Sequence, residues 1–227
     1  MNDNVNDSAE LWKSIDRQIQ SEPVELGRYT SDDYMNDIKH IAFVASRYKF
    51  CAKMLEGRET VMEIGCGDGF GAPFVASVVK KLICTDINPP LLDDIRRRHG
   101  FLKNTSYEFF EFRENAYRPK VDGIFLVDVI EHIFPSEEDS FMANISASLN
   151  EQGVALIGTP NKSAEQYASS WSRQGHVNLK THQSLREMCA YYFHNVFMFG
   201  MNDEVLHTGY GPMCHFLWAL CVIPRQR

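Results

Sequence analysis

The chain has 227 residues, of which 44% are hydrophobic, which is enough for one domain with a buried core but cramped for two. Its formal net charge of −7 argues against a protein that gains affinity by neutralising nucleic-acid phosphates. The first ten residues do not resemble a signal peptide, no apolar run approaches the roughly 20 residues of a membrane span, and the six cysteines form no CxxC pair. We expect a cytoplasmic protein with reduced, buried thiols and with no membrane or nucleic-acid partner.

The N-terminal quarter predicts a helical cover. After a loosely docked lead-in of about 25 residues, apolar residues recur at helical spacing from the cap residue Ser31 to Gly57, which predicts one helix. Long cations such as Arg47 are expected on its surface. We take residues 1–57 as an extension and cover, and residues 58–227 as the main domain.

Beyond Gly57, short β-rich runs alternate with helical segments, which is typical of a parallel sheet with helices on both faces. The last two apolar runs predict an antiparallel hairpin at the sheet edge. We therefore expect an α/β fold with a mostly parallel, seven-stranded sheet. The predicted strands are 60–64, 81–87, 106–112, 121–128, 153–158, 195–201 and 215–223, and the predicted helices are 70–80, 91–99, 136–149 and 181–193.

A glycine-rich turn, EIGCGDG (63–69), lies between the first predicted strand and the next helix. Glycines there let a backbone approach a ligand closely and adopt positive φ. Phe70 stands where a dinucleotide fingerprint has its third glycine, and no GK[ST] is present, so phosphate binding is the weaker interpretation. Glu63 favours an amine-bearing ligand, and Asp86 at the tip of the second strand suits the two hydroxyls of a ribose. The two segments together indicate an adenosine without phosphate.

Four segments in order, EIGCGDG, TDINP (85–89), DVIEH (128–132) and GTPN (158–161), resemble motifs of class I S-adenosylmethionine (SAM)-dependent methyltransferases. The resemblance covers roughly residues 43–224. It implies a Rossmann-like fold, SAM as cofactor and S-adenosylhomocysteine (SAH) as product. It also implies that Gly65 and Gly67 flank the methionine part, that Glu63 lies near its amino group and that Asp86 holds the ribose. The full set of expected cofactor-binding residues is Glu63, Gly65, Cys66, Gly67, Asp86, Ile87, Glu111 and Asp128.

The segment DVIEH follows the fourth predicted strand, where its side chains would face the cofactor and the acceptor. His132 suits a general base, because an imidazole titrates near neutral pH. Alternatively, Glu131 and His132 cap the next turn and tie loops together. The spacing of Asp128, Glu131 and His132 also resembles that of coenzyme Q O-methyltransferases, in which the matching positions can hold a divalent cation. A metal is compatible with this pattern but is not expected.

A long polar loop follows the fifth predicted strand, and loops in that position are usually functional. His176 is its candidate base or substrate contact, with a role as a hydrogen-bonding anchor as the alternative. The residues expected to shape the substrate pocket are Tyr29, Tyr167, Trp171 and Asn178.

These features are interpreted as a SAM-dependent methyltransferase that acts on a small-molecule acceptor. O-methylation of a sugar, polyol or natural-product intermediate is favoured, with His132 or His176 as the base. N-methylation of an amine is one alternative, and a non-catalytic protein of the same fold that binds partners through apolar surface is another. A monomer or a homodimer is expected.

Overall fold

The computed structural model of the chain describes residues 7–225, with the exception of the Trp171 side chain. The helices are α1 (Ser8–Asp16), α2 (Arg28–Asn36), α3 (Ile38–Leu55), α4 (Ala72–Ala76), α5 (Pro89–Arg98), α6 (Glu138–Ser148), α7 (Ser170–Gly175) and α8 (His182–Tyr192). The strands are β1 (Thr60–Ile64), β2 (Lys81–Asp86), β3 (Thr105–Phe109), β4 (Val121–Val127), β5 (Leu149–Pro160), β6 (Phe193–Asn202), β7 (Val205–His207) and β8 (Phe216–Pro224).

Within these residues, eight strands form one sheet in the order β3-β2-β1-β4-β5-β8-β6-β7. Strands β1 to β5 pair in parallel, whereas β8 pairs antiparallel with both β5 and β6. The carboxyl ends of β1, β2 and β4 therefore meet at one edge, where ligands bind in open α/β sheets.

The predicted mostly parallel α/β sheet is confirmed, and the strand count is eight instead of seven. The additional strand is β7, which pairs with the end of β6 through Asn202 and Val205. The expected terminal hairpin is not at the edge, because β8 inserts between β5 and β6. Its residues Leu217, Trp218 and Ala219 are fully buried, which suits an interior strand.

The single helix predicted from Ser31 to Gly57 is wrong. It is divided into α2 and α3 at Asp37, whose φ of −148° and ψ of 69° lie outside the helical region. Helix α3 buries Tyr48, Cys51 and other residues in the core on one face of the sheet. The division of the chain at residue 57 stays a prediction. Helix α1 buries no residue, as expected for a loosely docked lead-in.

The predicted helix 70–80 is also too long, since only α4 forms. The chain leaves the helix because the backbones of Val78 and Lys80 hydrogen bond to Gly57 and Arg58 instead, at 2.9 and 3.0 Å. These bonds direct the chain into β2.

Both faces of the sheet are covered. Helices α3, α4 and α5 pack on one face, and α6 and α8 pack on the other through residues such as Ile145 and Leu185. All six cysteines, which lie within residues 7–225, are free and buried, as predicted. No helix in that range combines the length and apolarity that crossing a membrane would require.

Candidate active site

The glycine turn after β1 adopts a conformation that needs glycine. Gly65 and Gly67 have φ values of 72° and 56°. A Cβ at Gly65 would lie 2.6 Å from a methyl carbon of Val129, whereas a Cβ at Gly67 would find its nearest neighbour, Tyr29, 4.0 Å away. The turn is therefore packed on one side and open on the other, which leaves room for a ligand beside the backbone.

Asp86, at the end of β2, supports the turn. One of its carboxylate oxygens accepts a hydrogen bond from the Gly67 N–H at 3.0 Å, and the other accepts one from the Asn88 N–H at 2.9 Å. An ionised carboxylate has about four acceptor positions, so each oxygen retains acceptor capacity for a ligand hydroxyl.

Two cavities flank the glycine turn and share Gly65 and Asp128 in their walls. The first cavity has a volume of about 280 Å³, and the second has a volume of about 240 Å³ and lies against α2 and α3. Of the residues predicted for the site, the first cavity also has Asp86, Ile87, Glu111 and His132 in its wall, and the second has Tyr29, Cys66 and Gly67.

Glu63 lines neither of these two cavities. Its side chain is buried below the turn, where the carboxylate accepts hydrogen bonds from the Tyr48 hydroxyl at 2.8 Å and the Cys84 thiol at 3.5 Å. Burial raises the pKa of Glu63 from its ordinary value of 4.5 to about 7, although both hydrogen bonds act in the opposite direction. A contact between Glu63 and a ligand amino group stays a prediction.

Glu111 lines the first cavity but is already held by a cation. Arg113 donates to its two carboxylate oxygens at 2.9 and 2.6 Å, which lowers the pKa of Glu111. The contact predicted between Glu111 and an adenine amine stays a prediction.

Asp128 follows β4 in a left-handed conformation, with φ 56°. Its carboxylate accepts a hydrogen bond from the Arg47 guanidinium at 2.7 Å. The prediction that Arg47 lies on the helix surface is therefore wrong, and its side chain is only 14% exposed. Arg47 is not among the predicted site residues, although the sequence carries a signal for its burial: it shares a helical stripe with the buried residues Cys51 and Leu55.

The carboxylate of Glu131 is fully buried. One oxygen accepts a hydrogen bond from the Thr159 hydroxyl at 2.9 Å, whereas the other, Oε1, has no hydrogen-bond partner among the described residues. The His132 Nε2 atom lies 3.9 Å from Oε1, which is too long for a hydrogen bond. Burial and the negative charge of Asp128 raise the pKa of Glu131 well above its ordinary value.

His132 and His176, predicted independently, face each other with ring centroids 5.2 Å apart. The loop that carries His176 is fastened to the turn after β4. His132 Nδ1 lies 2.9 Å from the Gly175 carbonyl oxygen, and the Glu131 carbonyl accepts hydrogen bonds from the N–H groups of Val177 and Asn178. Burial and the nearby His132 lower the pKa of His176, so its ring is neutral at neutral pH.

Asp128, Glu131 and His132, whose spacing is compatible with a cation, are not the group that the fold brings together. Potential ligand atoms of Glu131, His132 and His176 all lie within 4.8 Å of one another. Asp128 is instead engaged by Arg47, so His176 replaces it in the group.

The residues predicted to contact substrate are dispersed. The Tyr29 side chain is half exposed and lines the second cavity. Tyr167 is exposed with its ring centroid 6.0 Å from that of His215, and the Asn178 amide donates to Glu138 at 2.6 Å, an anchoring role. The Trp171 side chain lies outside the described part of the chain.

A family model described as a methyltransferase domain matches residues 37–192. The chain belongs to this methyltransferase family. A Mycolicibacterium smegmatis protein, described as a probable SAM-dependent methyltransferase, is 29% identical over 115 residues. The match covers 51% of this chain and 43% of that relative, so the chain spans less than half the length of the relative.

Two solved structures are similar in fold to a larger part of the chain. The N-methyltransferase NodS from Bradyrhizobium japonicum, in complex with SAH, covers 94% of this chain and 98% of its own, with 15% identity and a TM-score of 0.63. A DhpI–SAH complex covers 88% of this chain and 92% of its own, with 14% identity and a TM-score of 0.64. These likenesses confirm the fold. The family match confirms the expected methyltransferase domain.

The buried carboxylate of Glu63 predicts a specific pH dependence of stability. Between about pH 4.5 and about pH 7 the folded chain keeps a proton that the unfolded chain has lost, so this group makes the free energy of unfolding fall as the pH rises. Glu63→Gln should remove that contribution and gain stability relative to the wild type across this window. Urea unfolding at several pH values measures it, with the exposed Glu59→Gln as control. Parallel curves for Glu63→Gln and the wild type would contradict the assignment.

Proposed function

We propose that the chain transfers a methyl group from SAM to a hydroxyl oxygen of a small molecule such as a sugar, polyol or natural-product intermediate. The observation that carries this proposal is the pair of His132 and His176, which meet beside the first cavity. An acceptor hydroxyl must lose a proton, so its methylation needs a base such as histidine. The enzyme must align the acceptor with the methyl group and exclude water for every kind of acceptor.

The cavities on either side of Gly65 suit a cofactor with a nucleoside at one end and an amino acid at the other. When bound, SAM supplies an electrophilic methyl group on a positively charged sulfur. Asp86 has free acceptor positions for ribose hydroxyls in the first cavity, and the open backbone of Gly67 borders the second. Ile87 adds apolar surface to the wall of the first cavity.

The surroundings of the two histidines favour a role in accepting a proton. The Gly175 carbonyl can only accept, so His132 Nδ1 must carry the hydrogen, and in the neutral ring Nε2 carries a lone pair. His176 is neutral at neutral pH for the reasons given above. Either ring can therefore take the proton of an acceptor hydroxyl, and a fastened loop keeps both in place.

A second candidate for the same task is a divalent cation held by Glu131, His132 and His176. The observation that favours it is the buried Oε1 of Glu131, which has no hydrogen-bond partner within residues 7–225 and lies 3.9 Å from His132 Nε2. Two ligands of one cation, each roughly 2.1 Å from it, lie about 3 to 4 Å apart. A cation there would lower the pKa of a bound hydroxyl.

Other parts of the interpretation stay predictions. N-methylation of an amine, a non-catalytic binding role, cytoplasmic location, the absence of a nucleic-acid partner and the choice between monomer and homodimer belong to this group. A panel of acceptors that includes amines distinguishes the two methylation chemistries directly.

Replacing Asp86 tests the cofactor assignment. Asp86→Ala removes the ribose acceptor together with the carboxylate that supports Gly67, so SAM and SAH should each bind about 10 to 100 times more weakly by titration calorimetry. Asp93→Ala, on the exposed side of α5, is the matched control and should bind as the wild type does. Unchanged binding by Asp86→Ala would remove this residue from the site.

Replacing the histidines tests the chemistry. For any acceptor that the wild type methylates, His132→Ala or His176→Ala should lower kcat about 10²- to 10⁴-fold, while the calorimetric Kd for SAM stays within a few-fold. The measurement is SAH formation with a panel of sugars, polyols and amines. The exposed His194→Ala serves as control. If both active-site variants retain full turnover, the histidine pair does not act on the acceptor.

The two roles of the histidine pair differ in their response to metal. With a cation site, Mn²⁺ or Mg²⁺ titrated into chelator-treated protein should bind, and Glu131→Gln or His176→Ala should weaken this binding at least 10-fold. Asp128→Asn should leave it unchanged if His176 is the third ligand. If no cation binds and chelator-treated protein keeps full turnover, the cation site is excluded and a histidine accepts the proton directly.

A further inference from the structure

Helix α3 delivers two consecutive residues to the two carboxylates that end the central strands. Arg47 donates to Asp128 after β4 at 2.7 Å, and Tyr48 donates to Glu63 at the end of β1 at 2.8 Å. The N-terminal segment thus contributes directly to the charge at this edge of the sheet, in addition to covering it.

The Arg47 side chain is held on more than one side. Its guanidinium carbon lies 3.9 Å from the centre of the Phe216 ring, and the Phe216 side chain is itself buried on β8. Cation–π contact and hydrogen bonding to a carboxylate restrict the guanidinium to one position. A lysine at this position would keep the charge but lose the planar stacking.

Asp128 occupies a position where its charge matters. Asp128 and Gly65 line both cavities. The backbone of Asp128 is in a left-handed conformation, which residues other than glycine rarely adopt. Its N–H donates to the Gly158 carbonyl at 3.1 Å, which holds it beside β5. An unbalanced carboxylate here would attract any positive charge placed at the junction of the cavities.

We propose that Arg47 is a positioning residue that holds the Asp128 carboxylate in place and balances its charge at the junction of the two cavities. The inference rests on the proposed function, because it requires SAM as the cofactor. SAM carries a positive charge at sulfur that SAH lacks. A carboxylate that stabilised this charge strongly would lower the energy of the bound cofactor more than that of the transition state, in which the charge disperses, and would slow methyl transfer. The Arg47 guanidinium prevents that excess stabilisation.

The ratio of the Kd values for SAH and SAM, measured by titration calorimetry, tests the proposal without any methyl acceptor. Arg47→Met should increase the preference for SAM over SAH about five-fold or more relative to the wild type, because it exposes the Asp128 charge. Arg47→Lys, which keeps a cation beside Asp128, should shift the ratio less. Lys49→Met, on the exposed side of the same helix, should leave the ratio unchanged.

A double variant identifies the residue through which Arg47 acts. Arg47→Met combined with Asp128→Asn should return the ratio to within about two-fold of its value in Asp128→Asn alone, since asparagine tolerates the left-handed backbone and carries no charge. A purely structural role of Arg47 would weaken SAM and SAH equally and leave the ratio unmoved, which would overturn the proposal. Failure of the wild type to bind either compound would instead contradict the proposed function. Circular dichroism confirms that each variant is folded.

Discussion

The close approach of the turn after β1 to the turn after β4 organises this edge of the sheet. Gly65 can come so near to Val129 because it has no Cβ, and its positive φ turns the chain away from the strand. The contact places the open backbone of Gly67 on one side and Asp128 on the other. The two cavities share Gly65 and Asp128 in their walls, so a ligand that occupies both must pass along the Gly65 backbone.

Carboxylates dominate this edge, and nearly every one has its own stabilising partner. Backbone N–H groups hold Asp86, guanidinium groups hold Asp128 and Glu111, and a phenol and a thiol hold Glu63. Such partners are needed because several negative charges lie close together and partly out of water. Glu131 differs: one buried oxygen has no hydrogen-bond donor among the described residues. An unpartnered buried carboxylate oxygen is costly, which is why it marks a place where a proton or a cation belongs.

The shared fold does not by itself decide which atom of an acceptor is methylated. The family match ends at residue 192 and includes the glycine turn, Asp86 and the histidine pair. The fold is shared with a protein named as an N-methyltransferase, so the sheet itself does not select the methylated atom. Helices α2 and α3 border the second cavity, and the ring of His176 lies beside His132 in the wall of the first. We propose that these segments select the acceptor.

The sequence by itself located strands β1 to β5 along the chain and the glycine turn, and it marked the two histidines as candidates, because strand periodicity, glycine conformation and side-chain chemistry are local properties. Only the tertiary structure decided the break at Asp37, the insertion of β8 between β5 and β6, and the burial of Arg47 against Asp128. Each of these depends on packing between segments far apart in the chain. The pairing of His132 with His176 also depends on contacts between distant segments. The chemistry of each side chain made it a candidate separately, and hydrogen bonds between the two loops place the two rings together.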